Sequence, residues 1–306
     1  MGTPAFACPT LETLLARPDP VVAVVCQPDR PRGRGLARTP PDVKRLAVEH
    51  GVGVLQPERL RDPAFQAELR RLAPDLIVVA AYGKILPPAV LDTPSHGAIN
   101  VHASLLPRHR GAAPIQWAIR AGDRVTGVTI MAMNEEMDAG NILLQHETPI
   151  ADDDTAGSLG DRLARMGAVA LAEAVDALKR GTLAARPQPA EGVTFAPRID
   201  RDEGRLDWQR PAAELARLVR AFAPSPSAFT TLGAQTLKVH RAVAEPGRPV
   251  APAGSVIDAG PGGILVMAGD GRLRLLEVQL EGRRRLSAAD FLAGHRVPPG
   301  TCLGGP

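Results

Sequence analysis

Residues 98–107 read Ala-Ile-Asn-Val-His-Ala-Ser-Leu-Leu-Pro. The short apolar run from Ala98 to Val101 predicts a strand covered on both faces, and the chain leaves it for a loop after His102. Side chains alternate along a strand, so Asn100 and His102 point to one side. There an amide donor and an imidazole can address a single ligand atom. The carboxyl ends of strands are also where open α/β sheets bind their ligands.

The flanking sequence supplies the rest of such a sheet. Val21 to Cys26 and Leu76 to Ala81 are further runs rich in Val and Ile, and Val128 to Met133 is another strand candidate. Asp42 to His50, followed by Gly51, reads as a helix with its stop residue, and Ala113 to Ala121 reads as helical. Thr155, a suitable N-cap, opens a long helix to Arg180 that Gly181 closes. This alternation predicts an α/β fold with an open, Rossmann-like, mostly parallel sheet. From Thr182 to Arg205 the chain carries Pro187, Pro189 and Pro197 with little periodicity, the pattern of a linker. Pro211 to Phe222 is helical again. Short apolar segments broken by Gly and Pro then run from Ala228 to Leu280 and predict a small antiparallel, OB-like barrel. Ser287, with Asp290 three residues on, forms a short capping box. The expected division is therefore 1–182, a linker at 183–205, and 206–306, as suits a 306-residue chain when most single domains hold about 100–150 residues.

Composition narrows the function classes. The apolar fraction of 44% and charged fraction of 23% are ordinary for a globular protein. No apolar run approaches the roughly 20 residues that span a bilayer, and no secretory pattern opens the chain. The expectation is a cytoplasmic protein with no membrane partner. Cys8, Cys26 and Cys302 are too scattered for a disulfide framework or a CxxC clip. Residues 204–306 hold 13 Lys and Arg against 8 Asp and Glu, a net +5, which leaves −2 for residues 1–203. Positive charge gathered in one third of the chain favours a polyanionic partner.

Downstream, Met137-Asp138-Ala139-Gly140 places a carboxylate on a small-residue loop after the Val128 to Met133 strand. Singly, a buried histidine or a turn-forming Asn or Asp is commonplace. Together, at the ends of neighbouring strands, Asn100, His102 and Asp138 supply an oxyanion donor, a proton-bearing group and a proton acceptor, the roles that acyl transfer to an amine requires. Ser104 lacks the GxSxG elbow of a serine hydrolase. His96, His102 and His109 fit no HExxH spacing, so no metal is expected. Between Asp29 and Arg45 lie Arg30, Arg32, Arg34, Arg38, Lys44 and Arg45, interleaved with Gly33 and Gly35. Such a loop suits phosphate contacts or is simply a solvated charged face.

Several blocks resemble the folate-dependent formyltransferases: Gly2-Thr3-Pro4-Ala5-Phe6-Ala7, Gln27-Pro28-Asp29-Arg30-Pro31, Ala81-Tyr82-Gly83-Lys84-Ile85-Leu86-Pro87, Asn100 through Pro107, Arg110-Gly111-Ala112-Ala113-Pro114-Ile115 and Gly127-Val128-Thr129-Ile130-Met131. Their order and spacing cover nearly the whole chain. The resemblance implies that Asn100, His102 and Asp138 are catalytic and that Ser104, Leu105, Leu106, Pro107, Tyr82 and Gly83 bind the folate, with 10-formyltetrahydrofolate as co-substrate. It implies formyl transfer to the amino group of a methionyl initiator tRNA held by Arg30, Arg32, Arg34, Arg38 and Arg201, residues 206–306 being a tRNA-binding domain and the protein a monomer. The resembled family also carries an apolar strand ahead of its Gly-Thr-Pro. Here Met1 directly precedes Gly2, so the sheet is expected to lack that central member, at a cost in stability.

Two other readings share the catalytic residues: formyl transfer to an amino sugar, and hydrolysis of formyl-folate. The basic loop and the barrel-like C-terminal part speak against both. A nucleic-acid-binding module is the non-enzymatic alternative. With nine aromatic residues in the chain, it offers little for stacking single-stranded bases.

Overall fold

The structure is a computed structural model that describes residues 1–32 and 37–305. It forms two compact units, one of Met1–Pro114, Val125–Pro149 and Gly160–Pro197, the other of Ile115–Arg124, Ile150–Leu159 and Arg198–Pro306. The chain runs through α1 (Cys8–Leu15), β1 (Val24–Val25), β2 (Arg30–Arg32), β3 (Ala37–Thr39), α2 (Asp42–Glu49), β4 (Val54–Leu55), α3 (Pro63–Leu72), β5 (Ile77–Val79) and α4 (Pro88–Leu91). There follow β6 (Ala98–His102), α5 (Pro114–Ala121), β7 (Val125–Ala132), β8 (Ile142–Pro149) and α6 (Ala156–Lys179).

The expected α/β sheet is present. β1 pairs with β4 and β5 with β6 in parallel, while β6, β7 and β8 pair antiparallel. Residues 133–141, which join β7 to β8, are too few for the crossover that a parallel pair requires. α6 starts where Thr155 caps it, the Thr155 hydroxyl accepting the Ser158 N–H at 3.1 Å, and Gly181 beyond its end stands at φ +67.

The run at Val21 to Cys26 forms a ladder only at Val24 and Val25. Met1 and Gly2 lie between β1 and β5. The Gly2 N–H donates to the Val25 carbonyl at 3.0 Å and the Ala80 N–H to the Met1 carbonyl at 2.9 Å. Toward Val21 and Leu76 lies a cavity of about 400 Å³, with Leu11, Val21, Leu69, Val78 and Leu178 in its walls. The ladder of β1 with β4 holds only the pairs Val24–Val54 and Val25–Leu55, which sets the length of β1. The Met1 amine donates to the Val78 carbonyl at 2.5 Å; burial pushes its pKa down to about 5.

In the second unit, α7 (Ala212–Phe222) precedes β9 (Ala228–Leu232), β10 (Gln235–Glu245), β11 (Val256–Gly260), β12 (Gly263–Met267), β13 (Arg272–Leu280), β14 (Leu286–Ser287) and α8 (Ala288–Gly294). The strands form one antiparallel sheet in the order β11-β12-β13-β10-β9, with β14 on β13. Leu303 bridges to Leu232 at the end of β9 and Cys302 to Ser255 just ahead of β11, so the C-terminal segment ties the two outer strands together. This is the barrel-like arrangement that the closely spaced segments predict. Leu237, Val239, Val266, Leu275 and Val278 fill it with side chains under 1% exposed. Ser287 caps α8, accepting the Asp290 N–H at 3.0 Å. Among the described residues, no helix is long and apolar enough to cross a membrane.

Candidate active site

All five residues of β6 are buried. Its register sets Asn100 opposite Met131 and His102 opposite Thr129, and the alternation turns both polar side chains to one face. His102 Nε2 lies 3.0 Å from the carbonyl of His109. A carbonyl only accepts, so the proton on that nitrogen is fixed. His102 Nδ1 lies 3.7 Å from Oδ1 of Asp138, and Asn100 Nδ2 donates to the same oxygen at 3.4 Å. The structure thus gathers Asn100, His102 and Asp138, which are 38 residues apart at the widest, around one carboxylate oxygen. The other oxygen, Oδ2, accepts the Gly111 N–H at 2.8 Å. Asp138 and His109 stand at φ +52 and +58. Non-glycine residues there cost about 1–3 kcal/mol each, a strain typical of functional sites.

The Ser104 to Pro107 loop is held from beneath by β7 and β8. The buried Thr129 hydroxyl donates to the Ser104 carbonyl at 2.7 Å and accepts the Leu106 N–H at 3.1 Å. Gln145 Nε2 donates to the Leu106 carbonyl at 3.0 Å. Ser104 spends its own hydroxyl on the Arg108 carbonyl at 2.6 Å, which leaves Leu105 and Pro107 half-buried.

The Tyr82 side chain is buried in an apolar cluster with Val25, Phe65, Ile77 and Leu86, and burial pushes its phenol up to about 12. Its carbonyl accepts from Thr3 Oγ1 and Gln27 Nε2 at 3.3 and 2.9 Å. Gly83 turns at φ +76, and Ile85 beyond it is 73% exposed. What this loop offers a ligand is therefore main chain and Ile85.

Arg30 and Arg38 sit exposed on the paired strands β2 and β3. Arg32 belongs to the same pair of strands, and Arg34 lies outside the described residues. Lys44 is spent on Asp29 at 2.8 Å and Arg45 on Asp42, so the cationic loop is smaller than the sequence suggests. Arg201 is exposed at the start of a 3-10 turn in the second unit. Among the described residues, no group of three His, Cys, Asp or Glu side chains could hold a metal ion.

The supports of the site carry little signal in the sequence. Residues 186–196 lie along the first unit as a strap. Arg186 exchanges both main-chain bonds with Ile142, at 2.8 and 2.9 Å, and Arg110 donates to the Thr194 carbonyl at 2.9 Å and accepts from Ala196 at 2.7 Å. A Cβ on Gly111 would stand 2.6 Å from the Ala196 carbonyl oxygen, so glycine there is what lets the strap close. The Gln188 side chain reaches from this strap to the Asp138 loop. Its one sequence signal is a polar residue fixed between Pro187 and Pro189.

Residues 2–175 match the formyl transferase family, and residues 198–296 match the formyl transferase C-terminal domain. The chain belongs to the formyl transferase family. The resemblance seen in its motif blocks is thereby borne out. This formyl transferase is 54% identical to the methionyl-tRNA formyltransferase of Myxococcus xanthus, over 98% of its own length and 96% of that protein. To the methionyl-tRNA formyltransferase of Stutzerimonas stutzeri it is 52% identical, over 99% and 96%. In fold it is similar to the N-formyltransferase of Helicobacter canadensis solved with folinic acid and dTDP-3-aminofucose, with a TM-score of 0.66 over 90% of this chain and 96% of that one. At 16% identity that likeness speaks for architecture alone. The C-terminal match begins at residue 198, directly after Pro197, the end of the first unit.

Proposed function

We propose that this formyl transferase moves the formyl group of 10-formyltetrahydrofolate onto the amino group of methionyl initiator tRNA. The observation that carries the reading is the meeting of Asn100 Nδ2 and His102 Nδ1 on Oδ1 of Asp138, in a chain more than half identical, end to end, to proteins named methionyl-tRNA formyltransferase.

Asn100, His102 and Asp138 act on the reacting atoms. The amine lone pair attacks the formyl carbon, and the carbonyl pair moves onto oxygen. The Asn100 amide turns a hydrogen to that oxygen as its charge develops, and His102, whose Nε2 proton stays on the His109 carbonyl, donates to it from Nδ1 as the imidazolium that the Asp138 carboxylate favours, because bonds that strengthen in the transition state are those that accelerate the step. Asp138 takes the proton that the amine loses. Collapse restores the carbonyl, breaks the bond to N10 of the folate and leaves that nitrogen to be protonated. The amine is itself the nucleophile, so no covalent enzyme intermediate is needed.

Ser104, Leu105, Leu106 and Pro107, with the main chain at Tyr82 and Gly83, hold the folate. Arg30, Arg32, Arg34, Arg38 and Arg201 hold tRNA phosphates. Residues 1–182 form the catalytic domain and 206–306 the OB-like tRNA-binding domain, joined by the linker 183–205, whose residues 186–196 are strapped onto the first unit, in a cytoplasmic monomer. The deciding assay supplies 10-formyltetrahydrofolate with charged initiator tRNA, with an amino-sugar nucleotide, or with no acceptor. Formyl transfer confined to the tRNA is the expected result. Transfer to the sugar, or release of formate without an acceptor, would assign the site to another acceptor.

A further inference from the structure

We infer that Gln188 is a positioning residue for the reaction, acting through Asp138; this rests on the catalytic role given to Asp138 above. The strap that carries Gln188 is tied by main-chain bonds to both loops of the site, at Ile142 and at Arg110. Its amide is fully used. Oε1 accepts from Arg110 Nε and Nη2 at 3.0 and 2.7 Å. Nε2 donates to the carbonyl of Asp138 and to that of Gly140, each at 2.8 Å. The pattern admits one orientation of the amide, because the reverse would aim its hydrogens at a guanidinium and its oxygen at two carbonyls.

The two carbonyls that Gln188 holds bracket the turn in which Asp138 stands at φ +52. A backbone of that kind persists where its surroundings over-determine it. The Asp138 side chain is held by the Gly111 N–H, one residue from Arg110, and Arg110 is what Gln188 grips on its other side. Gln188 therefore couples the turn that aims the carboxylate to the loop that receives it. A shift of a fraction of an ångström at Asp138 is felt in turnover, since the bond from Asn100 is already long at 3.4 Å.

The closest test is Gln188→Glu in the full chain. It keeps the shape and the Arg110 partner, but it sets a carboxylate against two carbonyls in place of two N–H donors. Gln188→Ala removes both sides of the clamp and is measured beside it, with thermal melts of each. The expected result is a fall in kcat of about tenfold or more for Gln188→Glu, KM for tRNA and for 10-formyltetrahydrofolate within twofold of the parent, a displaced limb in the kcat–pH profile, and a Gln188→Glu, Asp138→Ala double variant no slower than Asp138→Ala alone. A packing role would lower the melting midpoint and leave the pH profile in place, which overturns the inference, as does an unchanged kcat. If Asp138→Ala itself turns over normally, the catalytic reading fails instead. If Asp138→Ala is inactive and Gln188→Glu normal, only the role of Gln188 falls.

Discussion

Oδ2 of Asp138 accepts the main-chain N–H of Gly111 at 2.8 Å, across 27 residues of sequence. The loop after β7 and the loop after β6 thus fix each other, and Oδ1 is left to face Asn100 and His102.

Replacing Asn100, His102 or Asp138 by Ala is expected to lower turnover about a hundredfold or more, since preorganised polar groups act chiefly on the transition state. Folding survives, because the β6 ladder that carries Asn100 and His102 is made of main chain and Asp138 lies on the loop between β7 and β8. Steady-state kinetics with a circular-dichroism melt check each variant. Near-normal turnover in any one of them removes that residue from the mechanism.

The Tyr82 hydroxyl is buried and has no hydrogen-bond partner among the described residues. An unpaired buried hydroxyl costs about 1–3 kcal/mol, so Tyr82→Phe is expected to leave the melting midpoint unchanged or raise it, with KM for the folate unaltered. A marked rise in that KM would show that the phenol turns out of the core to meet the ligand.

A chain carrying a short apolar strand ahead of Met1 is expected to melt higher than the chain starting at Met1, by filling the space between Val21 and Val78 and pairing the backbone on both sides. The pH dependence separates the two chains. Starting at Met1, the folded amine holds its proton up to about pH 5, against 8.0 for the ordinary group. Between these values the unfolded chain binds more protons, so stability rises with pH across that window. The extended chain has an amide at this point and loses that slope. Melts from pH 5 to 8 give the answer; equal midpoints in both chains would show that the sheet gains nothing from the added strand.

Neutralising Arg30, Arg32, Arg34 and Arg38 together is expected to raise KM for charged tRNA and leave folate binding unchanged. For every phosphate that an arginine no longer neutralises, the log–log salt dependence of tRNA affinity falls by about one unit. A binding series over salt concentration reads both. Unaltered affinity and slope would take β2 and β3 out of the tRNA site.

Local pattern reached far in this protein. The apolar run at Ala98 to Val101 and the period-two placement of Asn100 and His102 are properties of a strand, and the same two side chains meet on one face of β6. Thr155 and Ser287 cap the helices that their positions predict, because capping is satisfied within a few residues. The family, too, was legible in short blocks whose order a chain carries by itself. Tertiary structure alone decided which carboxylate oxygen those side chains share, the ladder of only Val24 and Val25 from the longer run at Val21, and the spending of Lys44 and Arg45 on Asp29 and Asp42. It also turned part of a proline-rich stretch into a strap whose Gln188 holds the Asp138 turn. The physical reason is common to all of these. Each depends on hydrogen bonds and charges between residues distant in sequence, and periodicity records which face a residue takes but not which partner it meets there.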